Sequence, residues 1–563
     1  MTHHPSRGRR PGRALLGVAA TVLAGTLAFS GCASGTATTS ASTPAADNAT
    51  ALLTIPREDM GTFTRNFNPF SPNAAPMTTQ AIHESMLIYN PAAGNTVPWL
   101  ATEWAASDDN RTLTFTLRDG VQWSDGEPLV ADDVAYTFEL QKEIMGGFEY
   151  LDSVTASDAH TVVFTFSRDY SPALYEIGQM PIVPKHVWEA IEDPAKATNE
   201  TPVGTGPYTE ITNFAAQSFT LGKNPHYWQP DAQHIEGIKM LAFAGNDGAN
   251  LAAANGDVDW APQYIPNIER TFISRDPEHR HYWFPPTGSM INFMVNTTKA
   301  PFNDVNVRKA LSMAIDREQI VSVGMSGYTE PADCTGLSGS YETWKDASLQ
   351  DSCDWIERDV DAANALLDEA GYPKGADGQR TLPDGSPFTF DFSVGSTSSD
   401  WVSVANVISQ NLADVGITMT VDAPDWSAVV AGYETGDFDS GIVWSSNDPT
   451  PYQYYLNLMS PTKVKPVGEQ THDNYGRFGS ADAQALLDQF AATQDEETQH
   501  EIVDDLQALY GQELPTIPLF PGPEWGAYND SRFVGWPTAD DPYATLGTRA
   551  PTTVLVLTTL EPR

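Results

Sequence analysis

The segment from Phe388 to Trp444 constrains the fold more than any other part of the chain. Phe388, Phe390 and Phe392 alternate with Thr389 and Asp391, the period of a half-buried strand. Val404, Val407, Ile408 and Leu412 follow at helical spacing, and Gly416 stands where that helix ends. Ile417, Met419 and Val421 form a second alternating strand, and a helix from Asp425 to Tyr433 leads to a third at Gly441–Trp444. Strands alternating with helices in this way predict an α/β lobe built on a parallel sheet. Elsewhere Leu113, Phe115 and Leu117 mark one strand, and Val162, Phe164 and Phe166 another. Between them Asp132 is expected to cap a helix carrying Val134 and Phe138. Asp304 and Asp316 each start a helix, the first with Val307, Leu311 and Ala314 on one face and the second running through Ile320. A helix from Asp361 to Ala370 stops at Gly371, and helices over about 480–492 and 496–510 precede a strand at Pro515–Leu519.

The N-terminus reads as an export signal. Arg7, Arg9, Arg10 and Arg13 precede an apolar run from Leu15 to Phe29, and the small residues Ser30 and Gly31 precede Cys32. A basic region, a short apolar stretch and small residues at the cut mark a secretory leader, assigned to residues 1–31. The apolar run is too short and too rich in Gly and Ala for a membrane span. Cys32 behind small residues resembles a bacterial lipobox, with Phe29 where Leu is usual. That implies cleavage before Cys32 and acylation of its thiol. The alternative is an ordinary leader with an incidental Cys, and the Arg9-Arg10 pair leaves both Sec and twin-arginine export open. Residues 32–50, rich in Ala, Ser and Thr, form a flexible tether.

The leader is basic and holds no acid, so the rest of the chain is more acidic than the total formal charge of −42. Such a charge repels nucleic acid and anionic membrane surfaces and suits the solubility of an exported protein. With 41% hydrophobic and 10% aromatic residues, the chain can still bury a core. Cys334 and Cys353 lie in a compartment where disulfides persist. They are read as a bridge closing an irregular loop, worth roughly 3 kcal/mol, with two buried free thiols as the alternative.

Five motifs occur in order along the chain. They are Leu113–Glu139 (LTFTLRDGVQWSDGEPLVADDVAYTFE), Val203–Tyr208 (VGTGPY), Asn303–Val321 (NDVNVRKALSMAIDREQIV), Asn364–Tyr372 (NALLDEAGY) and Leu514–Leu519 (LPTIPL). Together they resemble the family 5 extracellular solute-binding proteins of ABC importers, which bind oligopeptides, dipeptides, nickel or oligosaccharides. Most of these residues are architectural. Asp119-Gly120 and Asp125-Gly126 suit tight turns, Gly204 and Gly206 before Pro207 let the chain reverse, and the family pattern suggests that Arg308 and Arg317 form buried ion pairs.

The resemblance implies a two-lobed periplasmic-binding-protein-like fold (type II, cluster C) with an extra subdomain inserted in lobe I. Lobe I would comprise 51–95, 200–285 and 515–563, the insert 96–199 and lobe II 286–514. It also implies a protein, read as a monomer, which traps a small solute between hinged lobes. A nickel or haem binder of the same family is an alternative, but no Cys/His cluster supports one, so no metal or cofactor is expected. The closed form would then dock on ABC permease subunits driven by their ATPases, while the lipid anchor holds the protein at the outer face of the cytoplasmic membrane.

The solute class is less directly written. Peptide binders of the family place an Asp three residues after a Trp for the peptide amine, where this chain has Asn447 followed by Asp448. Gly535–Ala544 (GWPTADDPYA), Asn90-Pro91 and Val97–Ala101 (VPWLA) resemble cellobiose-type binders, and 14 Trp is high usage. Indoles stack on the CH faces of sugars while Asn, Asp and Gln pair with hydroxyls. The expected ligand is therefore a β-linked gluco- or manno-oligosaccharide, with an oligopeptide as the alternative. Expected contacts are Asn68, Phe70, Asn246, Asp247, Trp260, Tyr264, Trp426, Trp444, Asn447 and Asp448.

An exported glycosidase would need a spaced carboxylate pair, but Asp132-Asp133 and Asp540-Asp541 read better as a helix cap and a turn. No G-x-S-x-G, H-E-x-x-H or P-loop motif occurs, and His279-x-His281 reads as an exposed strand edge. A lipoprotein receptor with the same pocket would be indistinguishable at this level.

Overall fold

A computed structural model describes residues 52–563 except 58–60, 72 and 350–352. The leader, Cys32 and the tether lie outside the described residues.

Two main sheets organise the fold. The first runs Leu53–Pro56, Gly237–Leu241, Ser218–Lys223, Tyr208–Ala215, with only the first pair parallel. A small sheet of Trp260–Ala261, Ala527–Asn529 and Arg280–Tyr282 accompanies it. The second runs Thr418–Asp422, Thr389–Ser393, Ser440–Trp444, Met290–Val295, Ile517–Pro521. Its first three strands are parallel, as the helix between each pair requires. Met290–Val295 is antiparallel to both neighbours, so the sheet is mixed rather than purely parallel. Strand Ile517–Pro521 completes this second sheet. The chain therefore leaves it only after Pro521, later than the expected division at 514/515.

Two segments link the sheets, and they run side by side. Trp283 N–H donates to the Gly526 carbonyl (2.8 Å) and Gly522 N–H to the Ser289 carbonyl (2.8 Å). A Cβ at Gly288 would run into the Gly522 carbonyl, so the close crossing needs glycine for space rather than for its dihedral freedom.

The inserted sheet is antiparallel: Ala101–Ala106, Thr112–Leu117, Thr161–Phe166, Leu151–Ala156. Leu113, Phe115, Leu117, Val162, Phe164 and Phe166 are buried on one face, where Phe138 meets Phe164 edge-on at 4.9 Å. The helix above it is Ala131–Met145. Asp132 is not its cap; its carboxylate pairs with Lys185 (2.6 Å). Asp133 reaches back to the Val130 N–H (3.0 Å) and takes the Trp123 indole N–H (3.3 Å). The insert also reaches the helices of the second sheet. Ser171 N–H donates to the Ala491 carbonyl (2.8 Å) and Arg168 pairs with Asp488 (3.2 Å).

Several motif residues act differently from expectation. Asp304 and Asp316 cap helices as the spacing suggests, and Asp359, two residues before the expected Asp361, caps the helix Val360–Glu369. Gly204 and Gly206 serve close approach, since a Cβ on either would strike the carbonyls of Ile82 and Ala81. Arg308 and Arg317 are buried but form no ion pairs among the described residues. Arg308 donates to the carbonyls of Leu514 and Phe302. Arg317 donates to Pro518 and Ile356 carbonyls and to Ser312 Oγ. Burial pushes their guanidinium groups down to about 10 and about 9. Cys334 and Cys353 are disulfide-bonded, with Cα atoms 5.9 Å apart.

Glu84 lies buried where the insert joins the first sheet. Trp99 Nε1 (2.7 Å), the Tyr227 hydroxyl (3.1 Å) and Trp228 Nε1 (3.1 Å) all donate to it, yet burial pushes its carboxyl up to about 7. A carboxyl that holds its proton more tightly when folded stabilises the fold at low pH. That contribution is lost as pH rises from the ordinary Glu range, about 4.3, through about 7. Thermal unfolding of Glu84→Gln is therefore expected to fall less between pH 5 and pH 8 than wild type, by at least about 2 °C. Equal slopes would contradict this.

Candidate functional site

The parallel strands Thr389–Ser393, Thr418–Asp422 and Ser440–Trp444 end at one edge of the second sheet. Outside the carboxyl ends of such strands is where open α/β sheets bind ligands. Three indoles from three segments meet there. Trp401 sits in the first turn of the helix Ser399–Asp414, Trp426 opens the helix Trp426–Thr435, and Trp444 ends its strand. Ring centroids are 6.0 Å apart for Trp401 and Trp426, 6.0 Å for Trp401 and Trp444, and 5.5 Å for Trp426 and Trp444. Gly395 allows this closeness, since a Cβ there would lie 2.9 Å from the Trp426 ring. Trp444 remains 49% exposed, an unusual state for so large an apolar ring.

The first sheet's side faces this edge. The Asn246 amide, at the start of helix Asn246–Asn255, donates to Ser399 Oγ at 3.4 Å. Tyr264 shares a hydrogen bond with Ser326 Oγ (2.6 Å), and its ring packs 5.3 Å from Trp525. Phe284 and Tyr328 complete this second aromatic cluster, each within 6.1 Å of Trp525. Asp400, between Ser399 and Trp401, is only 6% exposed, and burial raises its carboxyl to about 6.

Beyond Trp444 the chain loops between two cavities. One, of about 370 Å³, is lined by Trp444 to Asp448, Asn457 and the 472–476 segment. The other, of about 290 Å³, lies between the insert and the second sheet's helices, with Glu176, Asp448 and Gln453 on its wall. No Lys or Arg lines either cavity. Asn447 is held by the linking segment, its amide donating to the Thr287 carbonyl (3.3 Å). Burial raises the Asp448 carboxyl. Glu176 accepts from the hydroxyls of Tyr150 (2.6 Å) and Tyr170 (2.7 Å). Its own burial, with some repulsion from Asp448, brings it to about 7.

The ten expected contacts therefore divide. Trp426 meets Trp444, which shares a cavity wall with Asn447 and Asp448, and Asn246 and Tyr264 approach from the first sheet's side through Ser399 and Ser326. Asp247 is exposed in the first turn of its helix. Three others are packed inside instead. Trp260 is fully buried, its indole N–H on the Leu546 carbonyl (2.9 Å). Asn68 is buried and its amide donates to the carbonyls of Pro194 and Ala197 (2.9 Å each). Phe70 packs edge-on against Trp188 at 5.4 Å. An aromatic or amide after a strand looks alike in sequence whether it meets solvent or a neighbouring segment. Trp401 and Asp400 escaped notice, although Ser-Ser-Asp-Trp opening a helix after a buried strand is the same signal that singled out Trp426. His279 and His281 belong to the small sheet's edge, beside Asp276 (3.2 Å) and Asp530 (3.7 Å).

Comparison with known proteins agrees with this architecture. The chain is 30% identical to Protein XP55 of Streptomyces lividans over 337 residues, 57% of this chain and 58% of that one. It is 24% identical to the nickel-binding periplasmic protein of Escherichia coli strain K12 over 507 residues, 86% of this chain and 92% of that one. A mannohexaose-bound periplasmic oligopeptide-binding protein of an ABC transporter from Thermotoga maritima superposes with a TM-score of 0.83 at 27% identity. That match covers 92% of this chain and 99% of the other. Residues 95–466 match the bacterial extracellular solute-binding proteins, family 5, middle region. The chain therefore belongs to the family 5 extracellular solute-binding proteins, the substrate-binding components of ABC importers.

Proposed function

We propose that the protein captures a β-linked gluco- or manno-oligosaccharide between two hinged lobes and hands it to a permease. The observation that carries this reading is the half-exposed indole face of Trp401, Trp426 and Trp444 at the carboxyl ends of the parallel strands. Flat aromatic surface beside acceptors such as Asp400 and Asp448 suits a sugar, whose CH face stacks while its edge hydroxyls donate. The cavity walls, without Lys or Arg, suit a neutral ligand better than one carrying a carboxylate. The mannohexaose held by the Thermotoga maritima relative supports the same class. Closure would follow from the ligand's higher affinity for the closed arrangement, with the two linking segments as hinge.

An oligopeptide is the second reading, favoured by Asp448, an acidic group on the wall of both cavities. In either case acylated Cys32 would anchor a monomer outside the cytoplasmic membrane. Residues 33–50 would give it a reach of at most about 60 Å, keeping its effective concentration near the permease high.

A thermal-shift panel of cellobiose, mannobiose, laminaribiose, xylobiose, mannohexaose and mixed tripeptides tests the ligand class. A bound ligand raises the midpoint by mass action. We expect a rise with at least one glycan and none with peptides. The reverse pattern would replace the sugar reading with the peptide one.

A further inference from the structure

We propose that Asp400 is the polar anchor of this site, its carboxylate accepting hydrogen bonds from two adjacent hydroxyls of a sugar ring stacked on the tryptophan face. This rests on the oligosaccharide reading and deepens it by naming the group that selects for a diol.

Placement comes first. Ser399, immediately before Asp400, touches Asn246 from the first sheet's side. Trp401, immediately after it, belongs to the indole face. Asp400 is therefore flanked in sequence by the residue that makes the contact joining the two sides and by a member of the surface on which a ring would stack. Tyr264, reaching over from the first sheet's side, feels its charge.

Its lack of partners is the second observation. Asp400 is 6% exposed, yet among the described residues no side chain hydrogen-bonds or ion-pairs with its carboxylate. Only the backbone N–H groups of Asp400 and Trp401, at the start of its own helix, favour its charged form. Removing a carboxylate from water is costly unless hydrogen bonds replace those lost. Two N–H groups and the helix dipole leave further acceptor positions open. The neighbouring polar groups are already engaged: the Tyr264 hydroxyl with Ser326 and the Asn246 amide with Ser399. A ligand supplying two donors would complete the shell. A site built to hydrogen-bond a hydroxyl rejects an analogue that lacks it.

Among titratable groups, Tyr264 from the first sheet's side interacts with Asp400, Asp422 ends the strand Thr418–Asp422 that packs against its helix, and Asp247 is exposed on the facing helix. Asp448 lies in the loop after Trp444. The carboxylate, not the acid, is the full acceptor. Binding should therefore strengthen as pH rises through about 6, where Asp400 ionises.

The test is calorimetric titration of wild type, Asp400→Asn and Asp400→Ala with whichever panel glycan gives the largest thermal shift, at pH 5.0 and 7.5. Wild type is expected to bind about tenfold more weakly at pH 5.0, the factor for a group one unit below its pKa. Asp400→Asn should bind at least about tenfold more weakly than wild type at pH 7.5 and lose most of the pH dependence. If Asp400 only supports the start of its helix, both variants lower the unfolding midpoint but keep wild-type affinity and pH profile, which overturns the assignment while leaving the sugar reading intact. If no glycan binds, the oligosaccharide reading fails and this assignment fails with it.

Discussion

Replacing Trp426 and Trp444 together by alanine is expected to weaken oligosaccharide binding about hundredfold, and Trp444→Ala alone at least about tenfold. Buried aromatic anchors at binding sites commonly lose 2 kcal/mol or more on truncation, and each 1.4 kcal/mol is a factor of ten. The two indoles share a face, with centroids 5.5 Å apart, so their effects need not add. Trp444 is the cleaner probe. Its ring is half exposed, so its removal should leave the unfolding midpoint within about 1 °C of wild type. Trp426 packs partly against the buried cluster that includes Val429 and Tyr433, and some stability goes with it. Calorimetry showing unchanged affinity for Trp444→Ala would remove the indole face from the site.

Arg317→Ala is expected to destabilise the fold by about 3 kcal/mol or more, the largest stability effect among the changes considered. Its guanidinium is buried and donates to the carbonyls of Pro518 and Ile356 and to Ser312 Oγ. Pro518 belongs to the last strand of the second sheet. One side chain thus ties that strand to the helix Val305–Ala314 and to the segment after the disulfide. Alanine would leave buried acceptors unpaired, each costing about 1–3 kcal/mol, together with the cavity. Arg317→Lys should recover only part of this, since an ammonium lacks the planar fork that reaches several acceptors at once. Chemical denaturation showing a change in unfolding free energy below about 0.5 kcal/mol for Arg317→Ala would contradict the account.

Arg317 also illustrates how far sequence reasoning extends. The family pattern points to burial, and burial is observed; an ion pair was the natural partner to expect for a buried cation. The carbonyls that replace it come from residues distant in sequence, at the end of one strand and in an irregular segment. No periodicity announces them. Strand Ile517–Pro521 is similar: a strand is expected at Pro515–Leu519, but only hydrogen bonds to Met290–Val295 assign it to the second sheet. Trp260 and Trp426 both follow turn-forming residues at the edge of a predicted element. One is sealed beneath Trp536 and Leu546, and the other helps form an open face. Their local sequences do not distinguish these outcomes, because exposure depends on which distant segment arrives to cover the ring.

The sequence by itself determined the elements of the second lobe, the turns at Gly120 and Gly126, and the family. These follow from local rules: a period of two for strands, 3.6 for helices, and glycine where the dihedral is positive. The tertiary structure decided which residues converge. It gathered Trp401, Trp426 and Trp444, buried Asp400 in the helix turn that also touches Asn246 through Ser399, and withdrew Asn68, Phe70 and Trp260 into the interior. The physical reason is that a hydrophobic period specifies which face of an element is buried. It does not specify what that element is buried against, and a binding site consists of such meetings between segments.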